Sequence, residues 1–243
     1  MLTPLLIGTT SLAGRRWGHT ISGWLVGIPF TSGPITLFLF LDHGPAFATN
    51  AALGSMLGIF ATIAWAVMYI ALARRGLSLL TCVLAGLGVF ALVGTAVHEL
   101  PAAPLPLYVA LVVVLLLAIR SVPPSATHDV IRLPVWDLPA RMILATALVL
   151  TITGSATVLG PRIAGLLATV PLYASILAGF GHTLAGPRAA IDVWRGLLFG
   201  LFGFGAFYLM LALFLEPLGI AAFGLAVAAA LVTQLVTLRV LRS

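Results

Sequence analysis

The chain is 243 residues long, 61% hydrophobic and only 7% charged, with a mean hydropathy of +1.19. Soluble domains carry about 25% charged residues, so this composition excludes a water-facing surface over most of the chain. All the basic residues are arginines, mostly at the ends of apolar runs, which argues against nucleic-acid binding and for membrane topology despite the net charge of +6.

A hydrocarbon core of roughly 30 Å needs about 20 helical residues. On that measure the apolar runs predict nine helices, at 1–14, 18–41, 46–73, 77–98, 104–121, 138–159, 161–184, 188–215 and 218–240. The first is short for a full span and follows no cleavable-leader pattern. Two-residue seams such as Arg74-Arg75 and Glu216-Pro217 join most neighbours, so tight antiparallel hairpins are expected. The one long linker, 122–137, holds prolines, charges and the amphipathic set Val130, Ile131, Val135 and Trp136, which suits a cytoplasmic loop lying along the interface. With the N-terminus outside, ten arginines fall on inner loops and only Arg162 on an outer one. That bias predicts nine spans, with the N-terminus outside and the C-terminus in the cytoplasm.

A shift of 142 residues brings the chain into register with itself. Gly18, Gly23, Pro29, Gly44, Pro45, Gly54 and Gly58 align with Gly160, Gly165, Pro171, Gly186, Pro187, Gly196 and Gly200. About one or two such matches are expected by chance over the overlap. Phe60 with Phe202 and Met68 with Met210 extend the match. Glycine and proline are tied to backbone geometry, so matching them predicts matching breaks and close contacts. Residues 1–98 and 138–243 are then two four-helix units, with 104–121 an unpaired linking helix. Because an odd number of spans separates equivalent helices, the units should enter the membrane in opposite senses. The expected fold is an all-α polytopic membrane protein of two inverted repeats.

The run Ile163-Ala164-Gly165-Leu166-Leu167 through Pro171, then Arg195 and Leu198-Phe199-Gly200-Leu201, resembles the core of small four-helix GlpM-like bacterial membrane proteins. The first half carries a weaker version, Gly23-Trp24-Leu25 through Pro29 with Leu57-Gly58, and has Leu53 where Arg195 stands in the second. The resemblance implies a duplicated, fused GlpM-like protein. Drug/metabolite exporters share that building logic by analogy alone.

Polar groups at membrane depth and matched helix breaks mark the candidate site. Pro29 and Pro34 in the second predicted helix, and Pro171 in the seventh, are the expected breaks. Around them Thr31, Ser32, Asn50, Tyr173, Ser175, Asp192 and Arg195 form the expected substrate site, with Trp24 and Tyr208 as apolar walls. Asp192 and Arg195 share a helix face at i, i+3; as plain structural groups they would be an interfacial ion pair beside the belt residue Trp194. Asp192 and His182 are the candidates for proton coupling. Gly54, Gly58, Gly196 and Gly200 should pack helices closely.

The chain has no lysine, no HExxH and no cysteine–histidine cluster, and its few acidic residues lie mostly at helix ends. An enzyme, a bound cofactor and a metal site are therefore not expected. The reading is a secondary transporter or exporter of a small molecule, with membrane lipids around it and a homodimer open to it. The alternatives are a phospholipid or polyprenyl-phosphate flippase or envelope-biosynthesis accessory, and a passive channel for a small neutral solute. In the lipid alternative Arg162 and Arg195 would contact a phosphate headgroup, and a lateral opening with both arginines at its mouth would favour it over a closed central cavity.

Overall fold

The computed structural model describes residues 19–29, 32–101, 103–122 and 154–242, with single positions between 136 and 151. The expected helix 1–14, much of 138–159 and most of the linker 122–137 lie outside the described residues. Within them the chain forms helices α1 (His19–Val26), α2 (Ser32–His43), α3 (Pro45–Arg74), α4 (Leu79–Val97), α5 (Pro104–Ser121), α6 (Ala156–Leu167), α7 (Leu172–Ala185), α8 (Pro187–Leu218) and α9 (Ala221–Arg242). No strand occurs among the described residues. Helices α3, α4, α5, α8 and α9 are each long and apolar enough to cross a membrane, and α6 and α7, bent by 44° at the break between them, are so only when taken together, as a broken span or a re-entrant loop. The protein is an all-α polytopic membrane protein.

Local chemistry sets the helix ends. Gly44, Gly160 and Gly186 have φ of 84°, 75° and 88° with extended ψ, a region open essentially to glycine alone. Each is followed by a proline whose fixed φ and missing N–H suit a first helical turn; at Gly160 the break lies inside α6, which kinks there and restarts at Pro161. The α3 C-terminus closes on Gly76 (φ 73°), with Leu77 N–H donating to the Leu72 carbonyl and Gly76 N–H to that of Ala73. Those two bonds satisfy carbonyls that the helix end would otherwise leave open. Ser78 then caps α4, its hydroxyl accepting from Thr81 N–H at 3.3 Å; Ser78→Ala is expected to cost about 1 kcal/mol in thermal unfolding.

Packing separates centre from rim. In their most apolar stretches α3 and α8 are 67% and 72% buried, against 22%, 17% and 28% for α4, α5 and α9. The rim helices present leucine and valine outward, as a lipid-facing surface requires. The central pair α3 and α8 pack on each other, and α5 leans on both.

The remaining contacts follow the 142-residue shift. Helix α4 packs on α3 and α9 on α8, while α1 packs on α8 and α6 on α3. A Cβ added at Gly23 would meet the backbone of Val193, and one at Gly165 the backbone of Ala51. Gly196 faces the backbone of Thr20, and Gly54 that of Arg162. Each pair is the other displaced by 142. Gly58 and Gly200 likewise approach the segments at Thr169 and Gly27. Without a hydrophobic difference between lipid and side chain, such close backbone approach is what holds membrane helices together.

Candidate functional site

The predicted break in the first half lies between α1 and α2, where the described residues are Gly27, Ile28 and Pro29. Gly27 and Ile28 N–H donate back to Trp24 and Leu25 carbonyls at 3.1 Å, closing α1 in a turn, and Gly33 N–H reaches the Pro29 carbonyl at 2.9 Å as α2 begins. Pro34 is no break. It sits in the first turn of α2, where no intrahelical N–H is needed. The second break, at Ala168–Pro171, is held by Thr62, whose hydroxyl donates to the Thr169 carbonyl at 2.9 Å.

Directly after the first break, Ser32 and Thr36 lie one turn apart on α2, with the Thr36 hydroxyl donating to the Ser32 carbonyl at 3.0 Å. Facing them, the Tyr208 hydroxyl on α8 lies 3.4 Å from Thr36 Oγ1 and within bonding reach of Ser32 and Ser55. Ser55, on α3, donates to the Gly165 carbonyl of α6 at 3.0 Å. All four residues are at most 2% exposed. Thr36 and Ser55 spend their protons on backbone carbonyls, so their hydroxyl oxygens are left as acceptors, and the four hydroxyls form a neutral set with lone pairs to spare. They join both central helices to a broken segment.

The positions shifted by 142 from these four are Ala174, Ala178, Leu197 and Ala66, all buried. The same backbone framework is thus polar in one half and apolar in the other.

Of the residues expected in the site, Ser32 and Tyr208 meet. Tyr208 meets Ser32 through its hydroxyl rather than as an apolar wall. Trp24 is a buried anchor: its indole N–H donates to Thr237 Oγ1 at 3.0 Å, and Thr237 in turn donates to Gln234. Gln234 Nε2 donates to the Gly200 carbonyl at 2.9 Å. Asn50 binds the Ala46 carbonyl of its own helix, and Ser175 binds that of Pro171 across the break, so both hydrogen-bond locally. Asp192 is buried in the second turn of α8, and the Arg195 guanidinium lies over the Phe199 ring at 5.8 Å. Tyr173 is half-buried on α7. His182 Nδ1 lies 3.0 Å from the Tyr69 hydroxyl, beside an aromatic group of Tyr69, Trp194 and Trp65. Thr31 lies outside the described residues. No cluster of three or more metal-binding side chains occurs among the described residues.

A cavity of about 310 Å³ opens sideways between α4 and α6, lined by Leu87, Phe90, Gly94, Thr95, His98 and Leu166 among others. At its far end Arg162 Nη1 donates to the carbonyls of His98 and Leu100, at 3.4 and 3.2 Å.

No family model matches the chain, and neither the curated proteins nor the solved structures contain a match to it.

Thr36, Ser55, Gln234 and Thr237 were not among the expected site residues. A hydroxyl in a membrane helix commonly bonds its own preceding turn, as Thr36, Ser175 and Thr183 do here, so the residue type alone does not distinguish a site. The signal available was comparative: Ser32, Thr36 and Ser55 are polar where their shifted partners are Ala or Leu.

Proposed function

We propose that the chain is a bacterial inner-membrane transporter or exporter of a small molecule, built from two inverted GlpM-like four-helix units with the N-terminus outside. The hydroxyl cluster is its binding region. One observation carries this reading: the broken segment of each half packs on the central helix of the other, and a sealed polar cluster lies where one such break meets both central helices. Two similar interfaces on either side of one site allow one unit to rock against the other while the site stays in place. Uncharged hydroxyls suit a polar solute bound by hydrogen bonds.

Cys82 is the chain's one cysteine, so a single substitution clears the background. In a Cys82→Ala chain, Thr36→Cys and Ser55→Cys are expected to react slowly with a membrane-impermeant thiol reagent from either face of oriented vesicles. Labelling from neither face, or from one only, counts against alternating access. Tyr208→Phe removes the hydroxyl that joins the cluster, and is expected to cost about 1 kcal/mol in stability. Its larger expected effect is to change the labelling rate of Thr36→Cys; an unchanged rate makes the cluster merely structural.

A lipid-handling role is the second reading. It is favoured by the lateral opening between α4 and α6 with Arg162 at one end, because a lipid needs sideways access that a small solute does not; Arg195, on α8 over the Phe199 ring, does not line that opening.

A further inference from the structure

The groove between α4 and α6 has the dimensions and end-group chemistry of a particular ligand. Its lining runs along α4 from Leu87 to His98. That stretch of helix rises about 16 Å, half of a roughly 30 Å hydrocarbon core, so the groove is as long as one leaflet's acyl chain. A compact solute would not need such a slot. The groove ends where α4 ends, and polar groups gather there.

Arg162 donates through Nη1 to the carbonyls of His98 and Leu100, on either side of Glu99. Its other guanidinium nitrogens have no bond to a described residue, and no described carboxylate pairs with it. Glu99 is 84% exposed and touches His98 Nε2 at 2.9 Å. A cation fixed on the carbonyls that flank Glu99 and an exposed carboxylate held by His98 are therefore both present at the polar end of an apolar slot.

The other half shows what fills such a slot when it is closed. Leu166 and Thr95, which line the groove, correspond by the 142-residue shift to Trp24 and Thr237. There the indole fills the space and donates to the threonine. Here the smaller leucine leaves the slot open, and Thr95 bonds only its own helix, at Ala91 and Leu92.

We propose that this groove binds a phospholipid whose headgroup carries a phosphate and a primary ammonium. Its acyl chain lies along α4 and α6, the phosphate sits on the guanidinium edge of Arg162 that no described residue occupies, and the ammonium faces Glu99. Guanidinium donors match phosphate oxygens in pairs, so Arg162 selects the phosphate. A lipid with a phosphate and no amine would bring its negative charge against Glu99. Binding requires no translocation and no contact with the hydroxyl cluster, so the site stands or falls separately from the transport reading.

The test uses the whole chain in phosphatidylglycerol nanodiscs doped with a phosphatidylethanolamine probe bearing a diazirine in its acyl chain. Photolysis and peptide mapping are expected to place crosslinks on Leu87–His98 and Ile163–Val170, several-fold above the lipid-facing sides of α5 and α9. Leu166→Trp is expected to remove that enrichment with the thermal transition retained. Ala91→Leu, which adds bulk from the exposed side, does the same and covers the case in which Leu166→Trp fails to fold. Glu99→Gln is expected to abolish the preference over a phosphatidylglycerol probe while leaving the tail crosslinks in place. Even labelling around the protein, or enrichment that survives the groove fillings, overturns the site. Equal enrichment by both probes in the unmodified chain overturns the headgroup assignment.

Discussion

Gly165→Ala and Gly196→Ala are each expected to destabilise the protein by about 3 kcal/mol, at the upper end of what overpacking costs. The added methyl carbon meets the backbone of the opposing helix, at Ala51 for Gly165 and at Thr20 for Gly196, and backbone cannot swing aside as a flexible side chain can. Relief requires the helices to separate, which loosens every contact along α3–α6 or α8–α1. Heat-induced unfolding in detergent measures the effect. Gly88→Ala and Gly224→Ala are the controls, since nothing lies within 4 Å of a Cβ at either helical position. Those substitutions are expected to be neutral or to stabilise by about 0.5 kcal/mol, the ordinary helix advantage of alanine over glycine. Gly54→Ala combined with Gly165→Ala should cost less than the two effects added, because one separation of α3 from α6 accommodates both. Gly165→Ala with Gly196→Ala acts on two interfaces and should be nearly additive. If the contact glycines and the two control glycines respond alike, backbone approach does not hold the halves together.

These glycines also show how far the chain could be read before its structure. Their spacing announced close helix contacts and a shift of 142, because a glycine at a contact reflects backbone distance. It could not announce the partner. Gly23 and Gly54 belong to one half, and nothing in their spacing says that each faces a helix of the other half. The apolar runs located the long helices, and Pro29 and Pro171 located both breaks. Pro34 misled, since a proline in a first turn and a proline in a break look alike until the turn is placed. The candidate site was legible in part. Ser32 and Tyr208 stand out in the sequence, but an aromatic ring in a membrane helix reads as an apolar wall, whereas Tyr208 acts through its hydroxyl. Asn50 and Ser175 attract attention for their polarity, and each directs a donor to a carbonyl of the preceding turn, as hydroxyls and amides in helices commonly do. Asymmetry between two copies is the better guide. A shared framework explains what the halves have in common, so the hydroxyls of one half and the Trp24 anchor of the other call for separate causes.

Trp24 tests that distinction directly. Trp24→Ala is expected to cost about 3–5 kcal/mol, as for other buried tryptophans, through the lost packing and the missing donor to Thr237. Trp24→Leu, which copies the residue at Leu166, should be milder. It keeps an apolar body against α9, and Thr237 retains its bonds to Gln234. The informative result is not the stability loss but the space it leaves. If the open slot between α4 and α6 follows from Leu166 on a shared framework, Trp24→Leu should open a second lateral groove between α1 and α9. Photolysis with the acyl-chain diazirine probe would then give a second crosslinked region, on α9 around Thr233 and Thr237. Its headgroup preference should be absent, because residues at the shifted positions of Glu99 and Arg162 are Leu241 and Thr20. Combining Trp24→Leu with Leu166→Trp should move the tail site from one half to the other and leave the headgroup selectivity behind. A destabilised chain with no new crosslinks would mean that the groove depends on something other than the side chain at 166, and that the two halves differ in backbone as well as in residue type.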